Sequence, residues 1–343
     1  MTFAALAIRD FRGRWANLRR EMKQVEAILG TQEQLRALDA RLRIVLPEEY
    51  QACYQDVPPI SMGSAGLQYD DAGRVAWGEI WDHFCDLAMA GGPPHKGKLL
   101  EPASQAEVEA QPERYKAVVA ELCRGIRLVS SLAVEGSPKP GWIRVMCPTP
   151  VMAHWLVRAI VMENISAHLE GSTVEVPAGP DYRLEKEIKN VVTAIAKTFH
   201  YFDGHMEGAQ LQRMAAIFTE SALPLLQPWR PDDSVARTIA IEAAKATAAA
   251  KVFAATGLRE GGPVYTGWMG LECGNVRTAI WMMRALVVGN LLARRQDSCL
   301  YVPIHPGLDP TGKRLLAEVS QVHRLAIASG LSTHAKELSS GRS

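Results

Sequence analysis

Polar side chains that can bind an anion recur along one predicted helix, residues 184–200. Their spacing of i, i+4, i+7, i+11 and i+14 places five of them on one helix face. This face holds hydrogen-bond donors and no carboxylate, whereas a solvated face usually mixes acids with bases. We expect the first three to contact a ligand and the last two to be catalytic, with a solvated face as the alternative: Lys186, Asn190, Thr193, Lys197 and His200.

The loop GGPPHKGK, residues 91–98, is rich in glycine and basic side chains. Its composition is typical of an anion-binding or mobile active-site loop, although it lacks the pattern GxxxxGK[ST] and no strand leads into it. We expect His95 to act with the catalytic residues and Lys96 and Lys98 to contact the ligand. An ordinary surface loop is the alternative.

The segments WLVRAIV and WMMRALV each place an arginine inside an apolar run, at Arg158 and Arg284. A buried guanidinium without a partner costs several kcal/mol, so each must stack on an aromatic ring, pair with a carboxylate or reach the edge of the core. Arg158 is therefore a candidate for clamping a ligand. The alternative is that both arginines support the fold.

Acidic and imidazole groups follow one another on a predicted helix from residue 78 to residue 90, at Glu79, Asp82, His83 and Asp86. Their spacing could present them together to a metal or for proton transfer. A metal would need further ligands from elsewhere, so an outer helix face is the alternative. The sequence therefore predicts no metal site, and it leaves the cofactor unknown.

Cys147 lies where a predicted strand meets a predicted helix, and a helix N-terminus is expected to lower the pKa of a thiol. The segment Cys-Pro-Thr-Pro-Val resembles the Cys-Pro-x-Pro motif of the TusA-type sulfur-carrier family over about five residues. The resemblance implies a persulfide on Cys147. Cys273, in the corresponding place, lacks both prolines, and a small buried cysteine is the alternative.

An internal repeat must position these residues. Residues 141–180 and 267–306 align without a gap at an offset of 126, and about a third of the aligned positions are identical, among them Gly141/Gly267 and Trp142/Trp268. The pattern LLxP recurs upstream at the same offset. A period of about 125 residues is far longer than that of a solenoid, so it indicates a domain duplication. Two such copies commonly pack about a pseudo-twofold axis.

The predicted fold class is α+β, with a helical hairpin followed by two β-α-β-β-α-containing copies. In the first copy we expect a strand at 142–147, a helix at 149–164, a hairpin across Glu170-Gly171 and a helix at 184–200. In the second we expect a strand at 268–273, a helix at 275–290, a hairpin across Gln296–Ser298 and a helix at 311–328. The domain boundaries are a hairpin at 1–50, a connector at 51–77, copies at 78–203 and 204–329, and a flexible tail at 330–343.

The N-terminal region has two amphipathic stretches, at 7–29 and from Thr31 onward, with Gly30 expected to end the first helix. Apolar faces of this kind pack against another helix or a second subunit. Residues 7–46 are therefore expected to dock a partner protein or a second copy of the chain. Acids interleave with the basic residues here, which favours a solvated face over a nucleic-acid arm.

The composition of the chain does not favour a nucleic-acid-binding or a membrane-spanning protein. A net charge of +1 does not favour a nucleic-acid partner, and no apolar run approaches the roughly 18 residues needed to span a membrane. The six cysteines form no CxxC pair, which favours reduced thiols and a cytoplasmic location.

These patterns predict an enzyme or binding protein of small-molecule or cofactor metabolism. Its ligand would be an anionic small molecule, held in the first copy or at the junction between the copies. A non-catalytic accessory subunit that docks a partner through its N-terminal helices is the alternative. Thiol chemistry at Cys147 is a third hypothesis.

Overall fold

The computed structural model describes residues 29–46, 67–79, 98–230 and 235–331, with no side-chain description for 235–238. The chain divides into two compact units, residues 1–41 and 42–343. In the first unit the described residues, 29–41, are helical. Gly30 is part of this helix, so the helix end predicted at Gly30 is wrong. The predicted helix over 7–28 lies outside the described residues.

The first half of the second unit, residues 98–205, is an antiparallel sheet covered by helices. Its strands pair in the order β1-β2-β4-β3. The elements in chain order are α1 (Gln105–Ala110), α2 (Pro112–Ser130), β1 (Ala133–Gly136), β2 (Trp142–Met146), α3 (Pro150–Met162), β3 (His168–Glu170), β4 (Thr173–Pro177), a π-helical turn (Leu184–Ile188) and α4 (Lys189–His205).

Helix α5 (Gly208–Thr219) leads to the second half, residues 224–331. There the strands pair in the order β5-β7-β6, and an isolated bridge between Glu260 and Leu271 extends the sheet beside β5. The elements are α6 (Val235–Thr256), β5 (Trp268–Glu272), α7 (Val276–Val287), β6 (Arg294–Gln296), β7 (Cys299–Pro303) and α8 (Lys313–Ala328). The predicted mixture of helix and sheet is confirmed, whereas α1, β1, α5 and α6 were not predicted.

Local sequence accounts for where these elements begin. Thr149 caps α3 by accepting a hydrogen bond from the Met152 amide, and Pro150 occupies the first helical turn, where no amide donor is needed. Asn275 caps α7 in the same way through the Thr278 amide. Within the described residues, no helix combines the length and the apolar character needed to cross a membrane.

Backbone pairing repeats between the halves at a separation of 126 residues. Trp142 pairs with Pro177 as Trp268 pairs with Pro303. The parallel bridge between Leu100 and Ile165 recurs between Leu226 and Leu291. The two halves therefore have the same register as well as the same order of pairing strands.

In each half, a glycine at the equivalent position allows the backbone of another segment to approach closely. Gly141 has a φ of +81° and Gly267 a φ of +74°, a region that side chains other than glycine rarely adopt. A Cβ on Gly141 would collide with the Ala103 carbonyl, and a Cβ on Gly267 with that of Trp229. The chain before each first helix can therefore lie directly against the start of the strand.

Arg158 connects the two halves through hydrogen bonds. Its guanidinium is fully buried, donates from Nε to the Val287 carbonyl at 3.0 Å and from Nη2 to the Gly289 carbonyl at 3.3 Å, and lies 4.1 Å from the Phe218 ring. These carbonyls belong to the C-terminal end of α7, where acceptors lack intrahelical donors and a cation is favourable. Arg158 therefore supports the fold across the junction.

Asn164 and Arg294 make a second polar contact between the halves. The Asn164 amide donates to the Arg295 carbonyl at 2.9 Å, and its oxygen accepts from Arg294 Nη1 at 3.0 Å. Asn164 has a φ of 59°, which asparagine tolerates better than most residues. The junction is therefore held by hydrogen bonds whose geometry fixes direction as well as by apolar packing.

Replacing Arg158 should destabilise the protein because buried carbonyls would lose their donors. We expect Arg158→Met to lower the free energy of unfolding by about 2–4 kcal/mol, measured by urea denaturation. Arg114→Met, at an exposed position on α2, is the matched control and should change it by less than about 0.5 kcal/mol. Equal effects of the two substitutions would contradict this role for Arg158.

Candidate functional site

The residues predicted from the helical stripe lie in different surroundings. Lys197 is buried, and its Nζ donates to Glu163 Oε1 at 2.7 Å. Thr193 is also buried and donates to the Asn190 carbonyl at 3.3 Å. Lys186 is exposed, with its Nζ 3.5 Å from Glu187 Oε1. Helix α4 therefore does not present these side chains as one open face.

The other predicted site residues are also dispersed. His200 is half-buried, and its Nε2 lies 3.1 Å from His205 Nε2 at the end of α4. Lys98 is exposed. His95 and Lys96 lie outside the described residues, as do Asp82, His83 and Asp86. Arg158 is occupied by the contacts between the halves described above.

Cys147 does not have the environment of a reactive thiol. It follows β2 and is buried, and burial raises its pKa to about 12. This direction is opposite to the one predicted from its place before a helix. Thiolate is the nucleophilic form, so little of it forms near neutral pH.

A cleft of about 950 Å³ lies where the two halves meet, and we call it the junction cleft. The first half contributes the start of α1, the loop before β2, strand β3 and the loop after β4. The second half contributes the segment 227–230, Thr266 and His305. A cleft of this size is sufficient for a small organic ligand.

His168 lies on the wall of the junction cleft, and only 5% of its surface is exposed. Its ring meets the Trp142 ring edge to face, with the centroids 5.4 Å apart. Neither ring nitrogen has a hydrogen-bond partner within the described part of the chain. Burial lowers the pKa of His168 well below the usual value, and the nearby Arg230 guanidinium lowers it further. His168 is therefore a neutral imidazole.

Arg230 reaches from the second half to the strands of the first. Its guanidinium contacts Glu175, which is 1% exposed, and lies 5.5 Å from the Trp142 ring. The other Glu175 oxygen accepts a hydrogen bond from Ser137 Oγ at 2.9 Å. This ion pair places a compensated charge beside His168, since Glu175 lies directly opposite His168 across β3 and β4.

Gln227 holds the second-half segment in place. Its Nε2 donates to the Leu169 carbonyl at 3.1 Å, and its Oε1 accepts from the Leu169 amide at 2.9 Å. The side chain thus satisfies the outer edge of β3 much as a neighbouring strand would. Trp229 and Arg230 follow directly, so this contact positions the wall of the cleft.

His305 forms the far side of the cleft against Trp229, with ring centroids 4.9 Å apart. Its Nδ1 accepts a hydrogen bond from the Leu308 amide at 3.0 Å. Burial lowers its pKa, so the neutral form is favoured and the proton lies on Nε2. His305 can therefore offer a donor, whereas His168 offers an acceptor or a donor.

In the second half, the positions equivalent to His168 and Glu175 carry large side chains that fill the corresponding space. At an offset of 126, His168 corresponds to Arg294 and Glu175 to Tyr301. The Arg294 guanidinium is fully buried and lies 4.0 Å from the Tyr301 ring and 4.3 Å from the Tyr265 ring. Burial lowers its pKa to about 10. The first half therefore has a cleft at the position that side chains fill in the second half.

The cleft residues were not predicted from the sequence, although a usable signal was present. The aligned copies differ in charge at two strand positions, His168 against Arg294 and Glu175 against Tyr301, and in the loop before the first central strand, Lys139 against Tyr265. Positions where aligned copies differ in charge are candidates for a site in one of them.

The Lys197–Glu163 pair gives a prediction about stability. Lys197→Met leaves a buried carboxylate without its cation, and we expect it to lower the free energy of unfolding by about 3–5 kcal/mol in urea. Adding Glu163→Gln should restore part of the loss. Lys186→Met, at an exposed lysine of the same segment, should have little effect. Unchanged stability of Lys197→Met would instead favour a ligand-binding role.

His168 should make stability depend on pH. The unfolded imidazole binds a proton near pH 6.5 while the folded one stays neutral, so this contribution is complete above pH 6.5 and is lost as the pH falls below it. We expect His168→Gln to reduce the loss of stability between pH 7.5 and 5.5 by about 1 kcal/mol. The exposed His205→Gln is the control, and an identical pH dependence of wild type and His168→Gln would contradict the assignment.

Comparison of the chain with protein-family models, with curated proteins and with solved structures finds no match. No relative therefore supplies an activity, a ligand or a partner. The function has to be inferred from the side chains of the junction cleft and from the packing that holds them.

Proposed function

We propose that the protein binds a small molecule in the junction cleft, with His168 as the central ligand-contacting residue. The observation that carries this proposal is a neutral imidazole, 95% buried, with no hydrogen-bond partner among the described residues and a position on the cleft wall. A titratable group on the wall of a cleft, with a strongly perturbed pKa and no hydrogen-bond partner of its own, is a candidate for contact with a ligand.

We also propose that residues 78–203 and 204–329 are tandem copies related by a pseudo-twofold axis. The shared register at an offset of 126 and the matching glycines at 141 and 267 support this origin. Duplication explains how one copy can retain an open site while the other fills the same position with aromatic side chains.

The two imidazoles of the cleft offer complementary hydrogen-bonding groups to a ligand. His168 can accept a hydrogen bond from a bound group because its neutral form prevails, and His305 can donate one from Nε2. Trp142 packs edge to face against the His168 ring, and the Arg230–Glu175 pair lies beside it.

A ligand screen tests the proposal. The full chain is screened by thermal shift against a set of cellular metabolites, and hits are repeated on His168→Gln. We expect at least one hit with the wild type and with the exposed control His205→Gln, and at least a tenfold weaker affinity with His168→Gln, because a buried hydrogen bond to the ligand is lost.

The same screen separates the junction cleft from the helical stripe predicted by the sequence. Hits that persist in His168→Gln but disappear in His200→Gln and Lys186→Ala would move the site to α4. A screen without a hit, on protein that also carries no copurified ligand by native mass spectrometry, would overturn the binding function.

A further inference from the structure

We infer that the ligand of the junction cleft carries an organic cation, an ammonium or a guanidinium group. The inference rests on the proposed binding function and adds the charge of the ligand to it. Three features of the cleft carry it: carboxylates without an ion pair, aromatic walls and a buried imidazole acceptor.

Carboxylates outnumber cations on the walls of the cleft. Both cations already lie near carboxylates, because Lys139 Nζ is 3.6 Å from Glu170 and Arg230 contacts Glu175 and lies 3.9 Å from Glu170. The pKa values of both imidazoles are lowered, so neither adds a positive charge near neutral pH. Six charged residues line the cleft: Glu101, Glu107, Glu170, Asp181, Lys139 and Arg230.

Two of these carboxylates are available to a ligand. Glu107 is used by the cap of α1, where it accepts from the Ser104 amide at 2.7 Å. Glu101 and Asp181 form no ion pair within the described part of the chain, and Asp181 only accepts from Gln111 at 3.4 Å. Glu101 is exposed at the cleft, and burial raises its pKa while the Arg294 guanidinium lowers it. A ligand cation would add a favourable contact to this carboxylate.

Aromatic rings line the same cleft as these carboxylates. Trp142, Trp229 and Tyr182 line the cleft, and the Tyr182 hydroxyl donates to the Glu101 carbonyl at 2.6 Å. Aromatic faces attract ammonium and guanidinium groups. The closed half gives an internal example, since Arg294, at the position equivalent to His168, lies over the Tyr301 ring.

His168 supplies a buried acceptor that points to a ligand independently of the carboxylates. A neutral imidazole nitrogen accepts a hydrogen bond from an ammonium or guanidinium N–H. An anionic ligand would instead meet a guanidinium whose Nη1 already contacts the buried Glu175 and whose Nη2 lies 3.9 Å from Glu170. The cleft therefore favours a cation over the anion predicted from the helical stripe.

Three probes that share a phenyl ring and differ in the charge of their polar end test the inference: phenethylamine, phenylpropanoate and phenethyl alcohol. Isothermal titration of the full chain should show binding of phenethylamine alone, weakened by added salt. Glu101→Gln should raise its Kd about tenfold, because a charge-assisted contact is lost. Glu109→Gln, at an exposed carboxylate of α1 outside the cleft, is the matched control and should leave the Kd unchanged.

Other outcomes overturn the inference and remain distinguishable from failure of the binding function. If phenylpropanoate binds more tightly than phenethylamine and its binding is lost in His168→Gln, the ligand is not a cation, but the junction cleft is still a binding site. No phenethylamine binding up to about 10 mM, or an unchanged Kd in Glu101→Gln, would also remove the cation. Only the absence of any hit in the metabolite screen would contradict the proposed binding function.

Discussion

Buried polar groups at the junction between the halves must find their partners on the other side, and this requirement fixes the arrangement of the two sheets. Arg158 reaches carbonyls of α7, Asn164 contacts Arg294 and the Arg295 carbonyl, and Gln227 pairs with Leu169. Each bond is directional, and each group would carry a desolvation penalty if the halves shifted. The junction cleft exists because these contacts hold its two walls at a constant separation.

The two halves differ chemically because equivalent positions carry side chains of different size and charge. Tyr301 and Tyr265 close around Arg294 in the second half, whereas Glu175 and Lys139 occupy those positions in the first and leave His168 beside open space. The aromatic side chains stabilise the second half through burial and cation–π contact. The first half lacks that filling and has a cleft with titratable groups.

The helical stripe shows that a shared spacing does not give side chains the same surroundings. Lys186, Thr193 and Lys197 do share a spacing, but α4 is covered along most of its length, so Lys197 meets Glu163 in the interior while Lys186 is exposed. A long lysine stem can be buried when its ammonium finds a carboxylate. The helix therefore uses part of its polar face for packing.

Local sequence predicts many of the strands and helices, because caps, turn residues and apolar periodicity act over a few residues. Thr149-Pro150 begins α3 and the hairpin turns across Glu170-Gly171, whereas α1, β1, α5 and α6 were not predicted. Which polar groups meet depends on the tertiary structure. His168, Trp229, Arg230 and His305 are brought together across separations of up to 137 residues by the edges of two sheets, and no local pattern encodes such a meeting.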